Sequence, residues 1–153
     1  MKKMRILTTL MIVVFAAGNL LAQTFKADDI LGVWFNEEKD GKVEIYKENG
    51  KYYGKLIWLL NPIDEETGKP KLDKHNDDEE LQKRPLKGLL LMNDFVWDED
   101  DQEWEDGEIY DPKKGSTYSC YMKLIDMNKL KVRGYIGISL IGRTTYWTRT
   151  TKD

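Results

Sequence analysis

Asp40-Gly41, Asn49-Gly50 and Asn61-Pro62 punctuate the chain at intervals too short for long helices, and each separates runs rich in β-branched and aromatic residues. Asp-Gly and Asn-Gly supply the positive φ of two-residue hairpins, so residues 30–36, 43–47 and 52–60 read as a meander of three strands. Five further runs, 88–97, 103–110, 117–125, 129–136 and 140–150, are divided by Asp98-Glu99-Asp100-Asp101, Asp111-Pro112-Lys113-Lys114-Gly115 and Asp126-Met127-Asn128. About eight strands is the number at which a closed barrel just holds side chains or one small ligand. The expected fold is all-β: a closed or nearly closed antiparallel up-and-down barrel, with one long loop or short helix inserted.

The two ends of the chain carry a means of closing such a barrel. Gly32-Val33-Trp34 opens the first strand, and Tyr146-Trp147-Thr148-Arg149 ends the last. A barrel must hydrogen-bond first strand to last, and a guanidinium stacked on an indole can seal the floor where they meet. Period-two alternation puts Arg143, Thr145, Trp147 and Arg149 on one face. Trp34, Arg143 and Arg149 are therefore the candidate closure residues, and alternation does not choose between the arginines.

Residues 1–22 read as a signal peptide, with Lys2, Lys3 and Arg5 before an apolar run and Ala22 before the cut. The remaining 23–153 are expected to form one exported domain, periplasmic or extracellular, with no transmembrane segment. Losing the leader takes the formal charge from −3 to −6, because those three cations leave with it. Lys and Arg are scattered among acids, which disfavours nucleic acid and charge-driven membrane binding. Cys120 is the lone cysteine, so no intramolecular disulfide is possible. Its face of residues 117–124, shared with Tyr118, Met122 and Leu124, makes it a small buried hydrophobe rather than a reactive thiol.

The polar segment 61–85 is long for a compact barrel and is either functional or a flap over one end. Within it, Asp77 to Arg84 can form one or two helical turns that Pro85 would stop. His75, the only histidine, lies among Asp73, Asn76, Asp77 and Asp78, where a solvated charged loop fits better than a metal site because no second His or usable Cys accompanies it. The acids from Asp98 to Asp106 fail the calcium-loop template, with Glu103 in the glycine position and Ile109 where the bidentate acid belongs. They read as a hairpin tip with Trp97 and Trp104 paired across it. Ser116, Ser119 and Ser139 lack a nucleophile elbow. No metal or other cofactor is expected.

One constellation suits a ligand: Tyr110, Tyr118, Arg133, Tyr135, Arg143 and Trp147. If the faces bearing these residues point inward, the lumen sets guanidinium groups beside aromatic rings, as an anionic amphipathic ligand requires. The opposite phase of residues 129–136 puts Leu130, Val132 and Ile136 inside, and burial of that apolar row favours it.

Five blocks in order resemble a known family. They are Asp73-x-x-Asn76-x-Asp78, Arg84-Pro85-Leu86-x-Gly88-Leu89, Gly107-x-Ile109-Tyr110-Asp111-Pro112-x-x-Gly115-x-Thr117-Tyr118, Leu130-x-Val132-Arg133-Gly134-Tyr135-x-Gly137 and Arg143-Thr144-x-x-Trp147-Thr148-Arg149. The chain looks like the small exported bacterial family catalogued as domain of unknown function 2147. The resemblance implies a lipocalin-like barrel and assigns no activity, and the Gly-x-Trp start is similar to the opening motif of lipocalins. The chain departs from the family pattern at Asp77, where Pro is frequent, and at Gln82, where Arg is frequent. The expected function is binding of a small amphipathic or anionic ligand in the cell envelope. The alternatives are an interaction module for an envelope protein partner that uses residues 61–85, and an enzyme acting on an envelope substrate.

Overall fold

A computed structural model describes residues 23–153. The leader assigned to residues 1–22 lies outside them. Eight strands close into an antiparallel barrel in simple sequence order: β1 (Gly32–Phe35), β2 (Gly41–Glu48), β3 (Lys51–Leu59), β4 (Leu90–Asp98), β5 (Glu103–Asp111), β6 (Ser116–Asp126), β7 (Lys129–Tyr135) and β8 (Gly142–Thr150). Closure comes from pairing of β1 with β8, with Trp34 opposite Arg149. Up-and-down connectivity sends four loops to one rim, the mouth. The other three turns and the 3₁₀ turn Ala27–Ile30 gather at the floor.

Asn49 (φ 49°) and Gly50 (φ 81°) make the expected positive-φ hairpin between β2 and β3. The Asp40-Gly41 pair does not act as a turn, because Gly41 already belongs to β2. Lys39 takes the positive φ instead, and the Asn36 side-chain oxygen accepts from the backbone N–H groups of Asp40 and Gly41. Ile30 is not in a strand either. It ends the 3₁₀ turn and is wholly buried beneath the barrel, where it caps an apolar floor. Leu140 and Ile141 fall in the β7–β8 loop rather than in β8. In the 61–85 insertion the helical tendency yields only a 3₁₀ turn at Leu81–Lys83.

The lower half of the barrel is solid. Trp34, Tyr52, Phe95, Trp104, Met92 and Met122 are each at most 1% exposed there, and the Trp97 and Trp104 rings lie 4.5 Å apart at the floor end. Two glycines make room for this filling. A methyl group on Gly54 would sit 2.8 Å from the Met92 sulfur, and one on Gly107 would collide with the Phe95 ring. Cys120 packs into the same core, and burial pushes its thiol pKa up, so it is a hydrophobe in function. On the outer wall Lys42 is buried between Phe35 and Trp58, at 5.2 and 5.4 Å from their ring centroids. It donates to main-chain oxygens of Thr151 and Asp153, which satisfies the charge.

Candidate functional site

The floor is sealed by one side chain that reaches several elements. The Arg149 guanidinium lies 4.2 Å from the Trp34 ring centroid and donates to the carbonyls of Met127 (2.5 Å), Leu31 (2.8 Å) and Asp29 (2.6 Å). Trp34 Nε1 donates to the Ile30 carbonyl, and Trp104 Nε1 to that of Ala27. Tyr52 Oη donates to Asp28 Oδ1 at 2.6 Å, so the 3₁₀ turn is tied to β1, β3, β5 and β8. Partial burial lowers the pKa of Arg149, an effect partly offset by Asp29, but a guanidinium still remains charged. Of the two candidate arginines, Arg149 covers Trp34. Arg143 stands at the mouth, 3.8 Å from Glu37.

Above the aromatic plug the barrel is hollow. A cavity of about 670 Å³ opens at the mouth, with walls of Val43 (β2), Leu56 (β3), Leu91 (β4), Ile109 (β5), Val132 (β7) and Trp147 (β8). Alternation explains this lining, since these residues occupy the inward phase of their strands and leave charges outside. The rim is charged: Glu37, Glu38 and Asp40 come from the β1–β2 turn, Lys113 and Lys114 from the β5–β6 turn, and Lys71 and Lys74, with His75 beside them, from the insertion. Lys113 bridges Glu38 and Asp40, and those contacts raise its pKa. Partial burial of Asp40 works the other way, but hydrogen bonds from Asn36 and Lys113 prevail and hold its carboxyl below the usual range.

Five of the six proposed ligand residues border this cavity, in different ways. Tyr110, Tyr118, Arg143 and Trp147 line it directly, and Tyr135 borders its lip with its ring beside Tyr121, 6.5 Å away between centroids. Arg133 is on the outer face, which corrects its placement in the lumen. The apolar row of Leu130 and Val132 takes the inside of β7, so Arg133 points out and donates to Thr144 Oγ1 and to the carbonyls of Ser139 and Leu140.

The charged loop around His75 is not simply solvated. Asp73 is fully buried, and its carboxylate accepts from Tyr110 Oη (2.6 Å), Arg84 Nε (2.9 Å) and Asn76 Nδ2 (3.1 Å), with Arg84 also 5.5 Å from the Tyr110 ring centroid. Burial, then the bond to Asp73, raises the pKa of Tyr110. Backbone pairs from Lys71 to Pro62, from Asp73 to Arg84 and from Leu86 to Lys71 fold the insertion back on itself, and the bonds of Asp73 and Asn76 with Tyr110 of β5 fasten it to the barrel as a strap. At Gly115 (φ 69°) a Cβ would collide with the His75 carbonyl, so glycine is required for both the turn and the strap's approach. Asp73, Asn76 and Arg84 all lie in motif blocks quoted above, and those blocks were the available signal. Among the described residues no group of three or more His, Cys, Asp or Glu is arranged to hold a metal ion, and no helix is long and apolar enough to cross a membrane.

No curated protein matches the sequence. The fold is similar to the solved structure of HP1028, a protein from Helicobacter pylori described as belonging to the lipocalin family. The TM-score is 0.67 and the identity 23%, over 79% of this chain and 82% of that one. The barrel is thus lipocalin-like. Residues 32–149 match the family described as "Uncharacterized protein conserved in bacteria (DUF2147)", and the chain belongs to that family.

Proposed function

We propose that the protein is an exported container for a small single-chain amphiphile. Its apolar part would lie against Val43, Leu56, Leu91, Val132 and Trp147, and its anionic head would sit at the rim beside Arg143. The observation that carries this reading is the open cavity of about 670 Å³, apolar in depth and charged at its edge. That size and lining suit one small ligand that is oriented by a few polar groups. Arg143 engages Glu37 only at 3.8 Å and is mostly exposed, which leaves its guanidinium free to exchange that partner for a ligand carboxylate or phosphate.

Titration with saturated fatty acids of increasing length, with the matching alcohols as controls, tests the proposal through tryptophan fluorescence and thermal melting. A ligand at 100 times its Kd should stabilise the fold by about 2.7 kcal/mol. Val132→Trp, which fills the cavity, should abolish the response, and Arg143→Ala should weaken the acids more than the alcohols. Absence of any quench or melting shift across the whole panel would overturn the container reading.

A further inference from the structure

We propose that Lys71, on the inner face of the strap, selects the ligand's head: its ammonium takes the carboxylate of an amphiphile whose chain lies in the cavity, an inference that rests on the container reading above. The strap's own pairing sets the direction of this side chain. Leu72 bridges Pro85 in an antiparallel pair, with the Asp73 N–H donating to the Arg84 carbonyl and the Leu86 N–H to that of Lys71. Side chains alternate along such a pair, so Lys71 and Asp73 share one face and Leu72 takes the other. Asp73 is fully buried against Tyr110 while Leu72 is 44% exposed, so the face that carries Lys71 is the one turned to the barrel. Lys71 is accordingly partly buried and borders the cavity, opposite Leu86, which packs against the apolar core.

Lys71 differs from its charged neighbours in having no counterion. Acids and cations around the cavity are equal in number, so net charge selects nothing and pairing decides. Lys113 bridges Glu38 and Asp40, Arg143 meets Glu37, and Lys74 lies 3.9 Å from Asp64. Glu37 also accepts from the Tyr146 N–H, Asp64 from the N–H groups of Glu66 and Thr67, and Asp111 from that of Lys113. Every acid bordering the cavity is thus engaged within the protein. Among the described residues the side chains of two bordering lysines, Lys71 and Lys114, make neither a hydrogen bond nor an ion pair, and Lys114 is exposed to water. An ammonium partly withdrawn from water beside an apolar chamber is completed by an anionic oxygen from the ligand. One inward cation without a partner matches a head with a single negative charge, hence a carboxylate. Because Lys71 belongs to the strap and not to a strand, the head it holds also ties the strap down, and occupancy of the cavity is felt over residues 61–85.

Calorimetric titration of residues 23–153 with decanoate and with 1-decanol at about pH 8, where the acid is ionised, tests the assignment together with hydrogen exchange over residues 61–85. Decanoate is expected to bind more tightly than decanol and to slow exchange in the strap. Lys71→Met keeps most of the apolar stem and removes the charge. It should cut the preference for decanoate about tenfold, leave decanol binding unchanged and abolish the slowing of strap exchange by saturating decanoate. Lys71→Arg should preserve both the preference and the slowing, because the charge remains. Arg143→Ala should leave the strap response intact at saturation, since Arg143 belongs to the barrel wall. A decanoate preference that survives Lys71→Met, or a wild type that binds the two probes equally, overturns the assignment and leaves the container standing. Binding of neither probe overturns both.

Discussion

Arg149 and Trp34 face one another across the seam between the last strand and the first, guanidinium carbon 4.2 Å from the indole centroid. Because the same guanidinium also fills three carbonyl acceptors, its removal strands polar groups as well as a ring face. Arg149→Ala is expected to destabilise the barrel by about 2 to 4 kcal/mol, read as a lower urea midpoint. Arg149→Lys keeps the charge but cannot reproduce the planar fork, so it should recover less than half of that loss. Full recovery by lysine would show that charge alone holds the seam.

Asp73 fastens the strap. Asp73→Ala leaves Tyr110 Oη, Asn76 and Arg84 without their common acceptor, and loss of one partner of a buried ion pair costs about 3 to 5 kcal/mol, less here because Arg84 is partly exposed. The expected outcome is local release. Hydrogen exchange and protease cleavage within residues 61–85 should accelerate at least tenfold, while amides of β5 to β7 keep their protection. Uniform loss of protection over all eight strands would mean that the strap and the barrel unfold together.

Acid should loosen the floor through Asp28. Hydrogen bonds from Lys47 and Tyr52 hold its carboxyl below the ordinary value of 3.8 despite some desolvation. A depressed folded-state pKa contributes stability that is complete above the unfolded value and is lost as pH falls through the folded one. Stability should therefore decline below about pH 4, and Asp94, held low by Lys51 and Tyr53, adds to the same window. Asp28→Asn should flatten part of the decline in urea midpoints measured across that range. Parallel profiles for variant and wild type would remove Asp28 from this account.

Turn dipeptides and strand alternation made the barrel legible, because hairpin pairing is local and its chemistry lies within a few residues. The closing pair was legible in kind, since Trp34 and the basic end of β8 must meet in any closed sheet. What alternation leaves open is phase. β7 turned Leu130 and Val132 inward and sent Arg133 out, whereas β8 turned Trp147 and Arg143 in, and that outcome depends on volumes filled from neighbouring strands. The buried Asp73 was illegible for a related reason: its acceptor bonds join Arg84 and Tyr110, and Tyr110 is 37 residues away on another strand. Composition shows a charged loop in either case. Only tertiary contact turns one of its acids into a buried fastening.

The pairing of β1 with β8 also dictates when the barrel can finish folding. Every other ladder joins neighbours in sequence, but the Trp34–Arg149 register spans nearly the whole described chain. Such a contact repays its loop-closure entropy only after the intervening meander exists, so it belongs to the last stage of a slow, topology-limited reaction. Until then the 3₁₀ turn Ala27–Ile30 lacks Arg149 as an acceptor-filling partner, and the aromatic plug has no lid beneath it. Substitutions at Arg149 should hence speed unfolding far more than they slow refolding.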